Sequence, residues 1–355
     1  MLNLLSRSLK FIFLNLLVIE VLSFFLILSS LVPNGISLMT SGVANKEFSN
    51  VHFADRDYNF AYKCWKSNVY FNKEGNRKYA DNPNSYKIAL LGDSMIENSQ
   101  LSDGEDIGSL LQKKLGNKFE VTNFGIFSTG IYDHLQTYKK KILIKNFDLL
   151  IYFPDATDIT DNHISRNRPN QNMFKIENNV VIKLEANEKW WTSYNSSYNK
   201  FKRNYFFYIK KYSSSYKVYW FLRDKFKDLN HDKTIENLSL NEKIKNLSEP
   251  MFLYKYFSES FINELKKNNQ NFLIIPTLRT RLFENSKFEK FRHNYLLKTW
   301  NSPNLSDPHD SAILYMKKNN IYEHPFLSWK CDGHYNYEGA NFMSTFVKDK
   351  ILQVQ

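Results

Sequence analysis

Three short stretches of this 355-residue chain carry residue types that could do covalent acyl chemistry. The first is Leu91-Gly92-Asp93-Ser94, which closes the apolar run 86–91. A serine at a tight turn between a strand and a helix stands at the carboxyl edge of a sheet, where ligands of open α/β folds bind. Its own N–H can face a bound carbonyl oxygen there. The plainer alternative is a loop Asp-Ser that caps the next helix. The second stretch is Asn123-Phe124-Gly125, where a glycine lets a backbone N–H come close to a ligand. On its own it is a strand-ending turn. The third is Cys331-Asp332-Gly333-His334-Tyr335-Asn336, followed by Glu338-Gly339. Here an acid and an imidazole stand two residues apart, and Asp332 could orient His334 as a base toward an alcohol. The alternative is an Asp-Gly turn with a surface histidine. No second His or Cys lies at metal-ligand spacing from His334, so a metal role is disfavoured.

These stretches need a scaffold that brings them together. Compact apolar runs at 86–91, 149–153 and 272–275 read as buried strands, and 119–124 reads as another strand. Helical spacing follows at Ile107, Leu110, Leu111 and Leu115, with Asp103 or Asp106 as the N-cap and Gly116 as the stop. A second helix is predicted over 132–145. A last one from about Tyr337 buries Met343, Phe346, Val347 and Ile351. Strands alternating with helices predict a parallel sheet covered on both faces. Residues 33–69 read as a stalk and an extended lead-in to a domain over 70–355. The interval of about 161–270 is too long for a crossover and reads as a helical insertion.

Composition narrows the classes. With 43% hydrophobic residues, 29 Phe and 22 Tyr, the chain is not disordered over most of its length. Two cysteines exclude a disulfide-stapled miniprotein and a Cys-built zinc module. The net charge of +12 calls for an anionic partner or surface. Much of it sits in 188–229, where ten basic residues face three acids among many aromatics. That segment reads as a helix against anionic lipid, as an acidic-polysaccharide surface, or simply as a core helix with a solvated basic face. Nucleic acid fits the composition but not an exported topology.

Export is predicted by the N-terminus. Residues 11–32 form a nearly unbroken apolar run of 22, about 33 Å as a helix and enough to span a bilayer. Arg7 and Lys10 precede it, and no Lys or Arg follows until Lys46. Residues 1–32 are therefore expected to be a cytoplasmic tip and an uncleaved single-pass anchor, with the rest periplasmic or extracellular. A cleaved signal and a buried helix are the alternatives. Glu20 lies within the span and marks either a helix contact or a tolerated neutral acid. In an oxidising space Cys64 and Cys331 can pair or stay as two thiols.

Taken together and in order, Gly92-Asp93-Ser94, Gly125, the stretch 149–162 and Asp332-x-His334 resemble the SGNH hydrolase superfamily, also called GDSL esterases. The resemblance covers roughly 70–160 and 270–355. It implies a three-layer, flavodoxin-like α/β sheet, with Ser94 as nucleophile, His334 as base and Asp332 as orienter. It also implies an oxyanion site made by the N–H groups of Ser94 and Gly125. A third donor in the family is an asparagine, and Thr157 stands in its place, in Asp155-Ala156-Thr157-Asp158. The Asp-x-His spacing is shorter than the common Asp-x-x-His. It is similar to that of membrane-associated polysaccharide O-acetyltransferases of the same superfamily. The implied protein is a membrane-anchored, exported serine esterase without metal or organic cofactor. It would remove O-acyl, chiefly O-acetyl, groups from a cell-surface glycan or a related small ester. The alternatives are an O-acyltransferase working through an acyl-serine, and a degenerate relative that binds glycan or membrane without turnover.

Overall fold

The computed structural model describes residues 14–26, 42–45, 49–52, 55–62, 64–82, 84–166, 172–178, 180–184, 196, 213–219, 222, 239–284, 286–321, 327–329 and 331–354. Among them, eleven strands and the helices between them build a mixed α/β fold. Two hairpins come first: β1 (Gly42–Asn45) with β2 (Ser49–His52), and β3 (Arg56–Tyr62) with β4 (Trp65–Phe71). The central sheet has five strands. These are β5 (Arg77–Lys78), β6 (Tyr86–Gly92), β7 (Phe119–Asn123), β8 (Leu149–Phe153) and β11 (Phe272–Ile274), in the order β11-β8-β6-β7-β5. β9 (Phe174–Glu177) and β10 (Val180–Lys183) form a third hairpin outside it.

β11, β8, β6 and β7 run parallel and are covered on both faces; β8 and β11 are apolar throughout, whereas β7 also buries Glu120, Thr122 and Asn123. Every residue of β8 is buried. Alternate residues of β6 serve opposite cores. Ile88 and Leu90 join one hydrophobic cluster with the helix Ile107–Leu115 and the C-terminal helix Tyr337–Val354. Ala89 and Leu91 join another with the helix Ser248–Lys267. Sheet and flanking helices thus form three layers. The edge strand β5 departs from the all-parallel expectation, because it pairs antiparallel with β7. Two residues long, it carries no pattern to read.

The Asp106 side chain caps the helix Ile107–Leu115, and Gly116 ends it. The expected helix over 132–145 is an α-helix only over Ile131–Thr137. It then widens to a π turn over Tyr138–Ile142 and tightens to a 3-10 turn over Leu143–Lys145. The expected boundary at 69/70 falls inside β4. That strand alternates buried and exposed residues and, with β3, buries Tyr58, Phe60, Trp65, Val69 and Phe71 against Trp329 and Cys331. The hairpin therefore belongs to the domain and not to a stalk.

Of the apolar run 11–32, residues 14–26 are helical and the others lie outside the described residues. Among the described residues no helix is long and apolar enough to cross a membrane. Glu20 accepts hydrogen bonds from the Ser213 hydroxyl at 3.0 Å, the Ser215 hydroxyl at 2.6 Å and the Ser215 N–H at 3.1 Å. It marks a contact between this helix and the insertion. Most of the basic segment 188–229 lies outside the described residues.

Candidate active site

The parallel strands end at one rim, and their loops carry the chemistry. From β6 the chain moves to β7 on one side and then returns past β6 to β8 on the other. The crevice at such a reversal is where ligands of open α/β sheets bind. Ser94 stands there, first in the short helix Ser94–Glu97, with Asp93 as N-cap accepting from the Met95 N–H at 2.8 Å. Gly92 is required at the turn, since a Cβ would come within 2.8 Å of the Ile96 side chain and 3.0 Å of the Phe153 carbonyl oxygen.

Ser94 and His334 meet across 240 positions of sequence, with Oγ and Nε2 2.9 Å apart. With Oγ–H donating to Nε2, the ring proton belongs on Nδ1. Nδ1 lies 3.4 Å from Asp332 Oδ1 but makes no hydrogen bond in line with it. Asp332 is held by others: Oδ1 accepts the His334 N–H at 3.0 Å, and Oδ2 accepts the Trp65 indole N–H at 2.6 Å. A disulfide joins Cys64 to Cys331, so hairpin and base loop are covalently tied. Asp332 and His334 remain 14% and 22% exposed, enough for a substrate to reach the imidazole.

The oxyanion side differs from its sequence expectation. The Ser94 N–H has no hydrogen-bond partner among the described residues, as an anion-binding donor requires. The Gly125 N–H, by contrast, is donated to Asn123 Oδ1 at 2.8 Å. Its missing side chain serves packing: a Cβ would come within 2.3 Å of the Glu97 backbone nitrogen. Thr157 is also committed. Its hydroxyl donates to Asp155 Oδ1 at 2.6 Å and accepts from Arg279 Nη2 at 3.0 Å. The structure thus gathers Ser94, His334 and Asp332, and it occupies the donor groups of Gly125 and Thr157 elsewhere.

Residues that the sequence did not single out hold this side. Glu97 is buried and accepts the Ser99 hydroxyl at 2.6 Å and the Phe127 N–H, fastening the loop after β7 to the serine turn. Arg279, on the loop after β11, donates from Nε to Asp155 Oδ1 at 2.8 Å and to Oδ2 at 3.0 Å. Asp93, Asp155 and Asp158 are all buried within this cluster. Burial alone would raise Asp155, but Arg279, with the Thr157 and Thr277 hydroxyls, outweighs it and holds Asp155 well below the carboxylate range. Burial and then the Asp155 charge push Asp93 well up. Burial, Asp93 and Asp155 do the same to Asp158. Behind the nucleophile, Arg279 thus favours the charged form of Asp155, while burial pushes Asp93 and Asp158 toward their neutral forms. Behind these, burial brings His134 down to about 3.

Among the described residues no group of His, Cys, Asp and Glu is arranged to hold a metal ion. The only signal in the sequence for Arg279 was its place just after a strand-ending proline, Pro276.

No protein-family model and no curated protein matches the chain. Among solved structures it is similar to an acetyl xylan esterase, AlAXEase, at 16% identity and a TM-score of 0.40, over 76% of this chain and 98% of that one. It is similar to the lipase/acylhydrolase from Enterococcus faecalis at 14% identity and a TM-score of 0.40, over 76% and 96%. It is also similar to an acetylxylan esterase from Geobacillus stearothermophilus at 13% identity and a TM-score of 0.39, over 75% and 94%. At such overlap, function has to be argued from the chain's own atoms.

Proposed function

We propose that this chain is a serine ester hydrolase of the SGNH type, exported and membrane-anchored, that removes O-acyl, chiefly O-acetyl, groups from a cell-surface glycan or a related ester. The 2.9 Å contact between Ser94 Oγ and His334 Nε2 carries the reading. Chance seldom puts a partly exposed alcohol and an imidazole 240 positions apart in hydrogen-bond contact at the rim where open α/β sheets bind ligands.

In this reaction Ser94 Oγ attacks the acyl carbonyl as His334 Nε2 takes the hydroxyl proton. The carbonyl π electrons move to its oxygen, which the Ser94 N–H receives. Collapse expels the sugar alkoxide, and His334 returns the proton to it. Water, deprotonated by the same imidazole, then frees the acid from the acyl-serine. Asp332, 3.4 Å from Nδ1, stabilises the imidazolium formed in each half. A glycan hydroxyl in place of that water gives transfer instead of hydrolysis.

Anchoring is supported by residues 14–26, where ten apolar side chains from Leu14 to Leu26 stand exposed. A patch of that kind needs a lipid or protein cover. The disulfide supports export, because such bonds persist in oxidising compartments.

The test is hydrolysis of p-nitrophenyl acetate together with labelling by a fluorophosphonate. Wild-type protein turns over and is labelled at Ser94, and Ser94→Ala does neither. Unchanged hydrolysis by Ser94→Ala sinks the reading. Product analysis with acetylated glycan, with and without an unacetylated acceptor, separates hydrolysis from transfer.

A further inference from the structure

The serine turn offers one unpaired backbone donor to the acyl oxygen, and the two other donors suggested by sequence are occupied. A tetrahedral oxyanion held by a single N–H is poorly stabilised, since each missing donor costs about 10²–10³ in rate. Among the described residues, Arg279 is a charged group at this rim with donors to spare. Arg279 is anchored through Nε and Nη2: Nε binds both oxygens of Asp155, and Nη2 lies 2.8 Å from Asp155 Oδ1 and donates to Thr157 Oγ1 at 3.0 Å. Nη1 makes no hydrogen bond among the described residues. The side chain is 28% exposed, and Nη2 is 3.9 Å from Oδ2 of Asp93, the residue that precedes Ser94.

We infer that Arg279 is the side-chain donor of the oxyanion site, presenting Nη1 to the acyl oxygen in place of the amide that Thr157 cannot supply. The inference rests on the ester-hydrolase reading above and goes beyond it. The chemistry suits the geometry. A guanidinium carries five N–H donors in a fixed fork, so three can be spent on Asp155 and Thr157 while two remain for ligand. Asp155 locks the fork from behind, so the free edge is held in place before substrate arrives. As Ser94 Oγ bonds to the carbonyl carbon, the oxygen gains a full negative charge. Nη1–H then donates to it without proton transfer, and a charge-assisted hydrogen bond is stronger than one from a neutral amide. Thr157 becomes the strut that aims the guanidinium.

Arg279→Gln and Arg279→Lys, assayed on p-nitrophenyl acetate, test this. The Gln variant is expected to lower kcat about 10²–10³-fold with KM within about threefold of wild type, the split of a donor used only in the transition state. Lys, which keeps the charge without the fork, recovers part of the loss. The charge-balanced pair Asp155→Asn/Arg279→Gln removes the buried anion along with its cation. It is expected to stay as slow as Arg279→Gln while melting nearer to wild type. Adding Thr157→Asn to Arg279→Gln restores an amide donor and raises kcat. Wild-type kcat in Arg279→Gln, or full recovery in the charge-balanced pair, overturns the inference and leaves Arg279 as the counterion of Asp155. Ser94→Ala keeps the two readings apart. If it is inert while Arg279→Gln is fully active, only the arginine inference falls. If it is fully active, the hydrolase reading falls as well.

Discussion

Ser94 is served from two sides that are built differently. On the base side, the loop 331–334 is partly exposed and held by a disulfide, an indole N–H, the His334 N–H on Asp332 and main-chain hydrogen bonds with Trp329. On the acyl-oxygen side, Asp93, Asp155 and Asp158 are buried around a single guanidinium. A covalent tie fixes position whatever the local charge. An ion cluster fixes position only while its charges match, because a buried carboxylate that loses its cation is strongly disfavoured. One side is therefore open to reductants and the other to substitutions that change charge.

The largest effect comes from the atoms shared by both sides. Ser94→Ala and His334→Ala are each expected to cut kcat by roughly 10⁴-fold or more, and the double variant by no more than either alone. Strictly additive losses in active-site-titrated progress curves would break the claim that the two act as a unit. Next comes the split between the sides. Asp332→Asn strikes the base side alone and should lower kcat by roughly 10²-fold or more without raising KM. A loss in KM instead would place Asp332 on the substrate. Reduction of the disulfide, or Cys331→Ser, should lower stability by about 2–5 kcal/mol and slow turnover, with the Arg279 variants no more sensitive to reductant than wild type. Melting with and without dithiothreitol checks this.

The smallest effect on turnover is expected from pH acting through a buried histidine. His134 is buried, with Nδ1 3.2 Å from the Tyr152 hydroxyl and 3.9 Å from Asp158 Oδ2, and Nε2 3.1 Å from Thr129 Oγ1. Its folded pKa, down at about 3, lies below the unfolded value. Between these values the unfolded chain binds the extra proton. Stability is therefore full above about pH 6.5 and falls toward pH 3, by at most about 1.4 kcal/mol per unit from this group. His134→Gln should flatten that slope in urea titrations. An unchanged slope would assign it to the carboxylates.

The two sides also differ in how far the sequence shows them. β8 and β11 were the most legible strands because a strand covered on both faces tends to be apolar throughout, as Leu149–Phe153 is. The start of the helix Ile107–Leu115 was legible because an aspartate just ahead of an apolar periodic run can cap it; of the two candidates, Asp103 and Asp106, the structure uses Asp106, which directly precedes Ile107. β5 was not, because Arg77 and Lys78 pair only through a register that β7 dictates. On the base side, Asp332-x-His334 is a local pattern, and the sequence named it. On the other side, Gly125 and Thr157 were the right kinds of residue on the right loops, yet their hydrogen atoms go to Asn123 and Asp155. Partner choice of that kind is tertiary. Arg279 lies 124 positions from Asp155, a distance that leaves no spacing to recognise.

The crosslink also sets an order of events. Cys64 is synthesised 267 residues before Cys331, and the imidazole follows only three residues after that second thiol. Cys64 has no intramolecular mate until residue 331 has emerged, long after the strands of the central sheet have been made. The imidazole therefore reaches Ser94 only once the later segment packs onto the β3–β4 hairpin and the two thiols are oxidised.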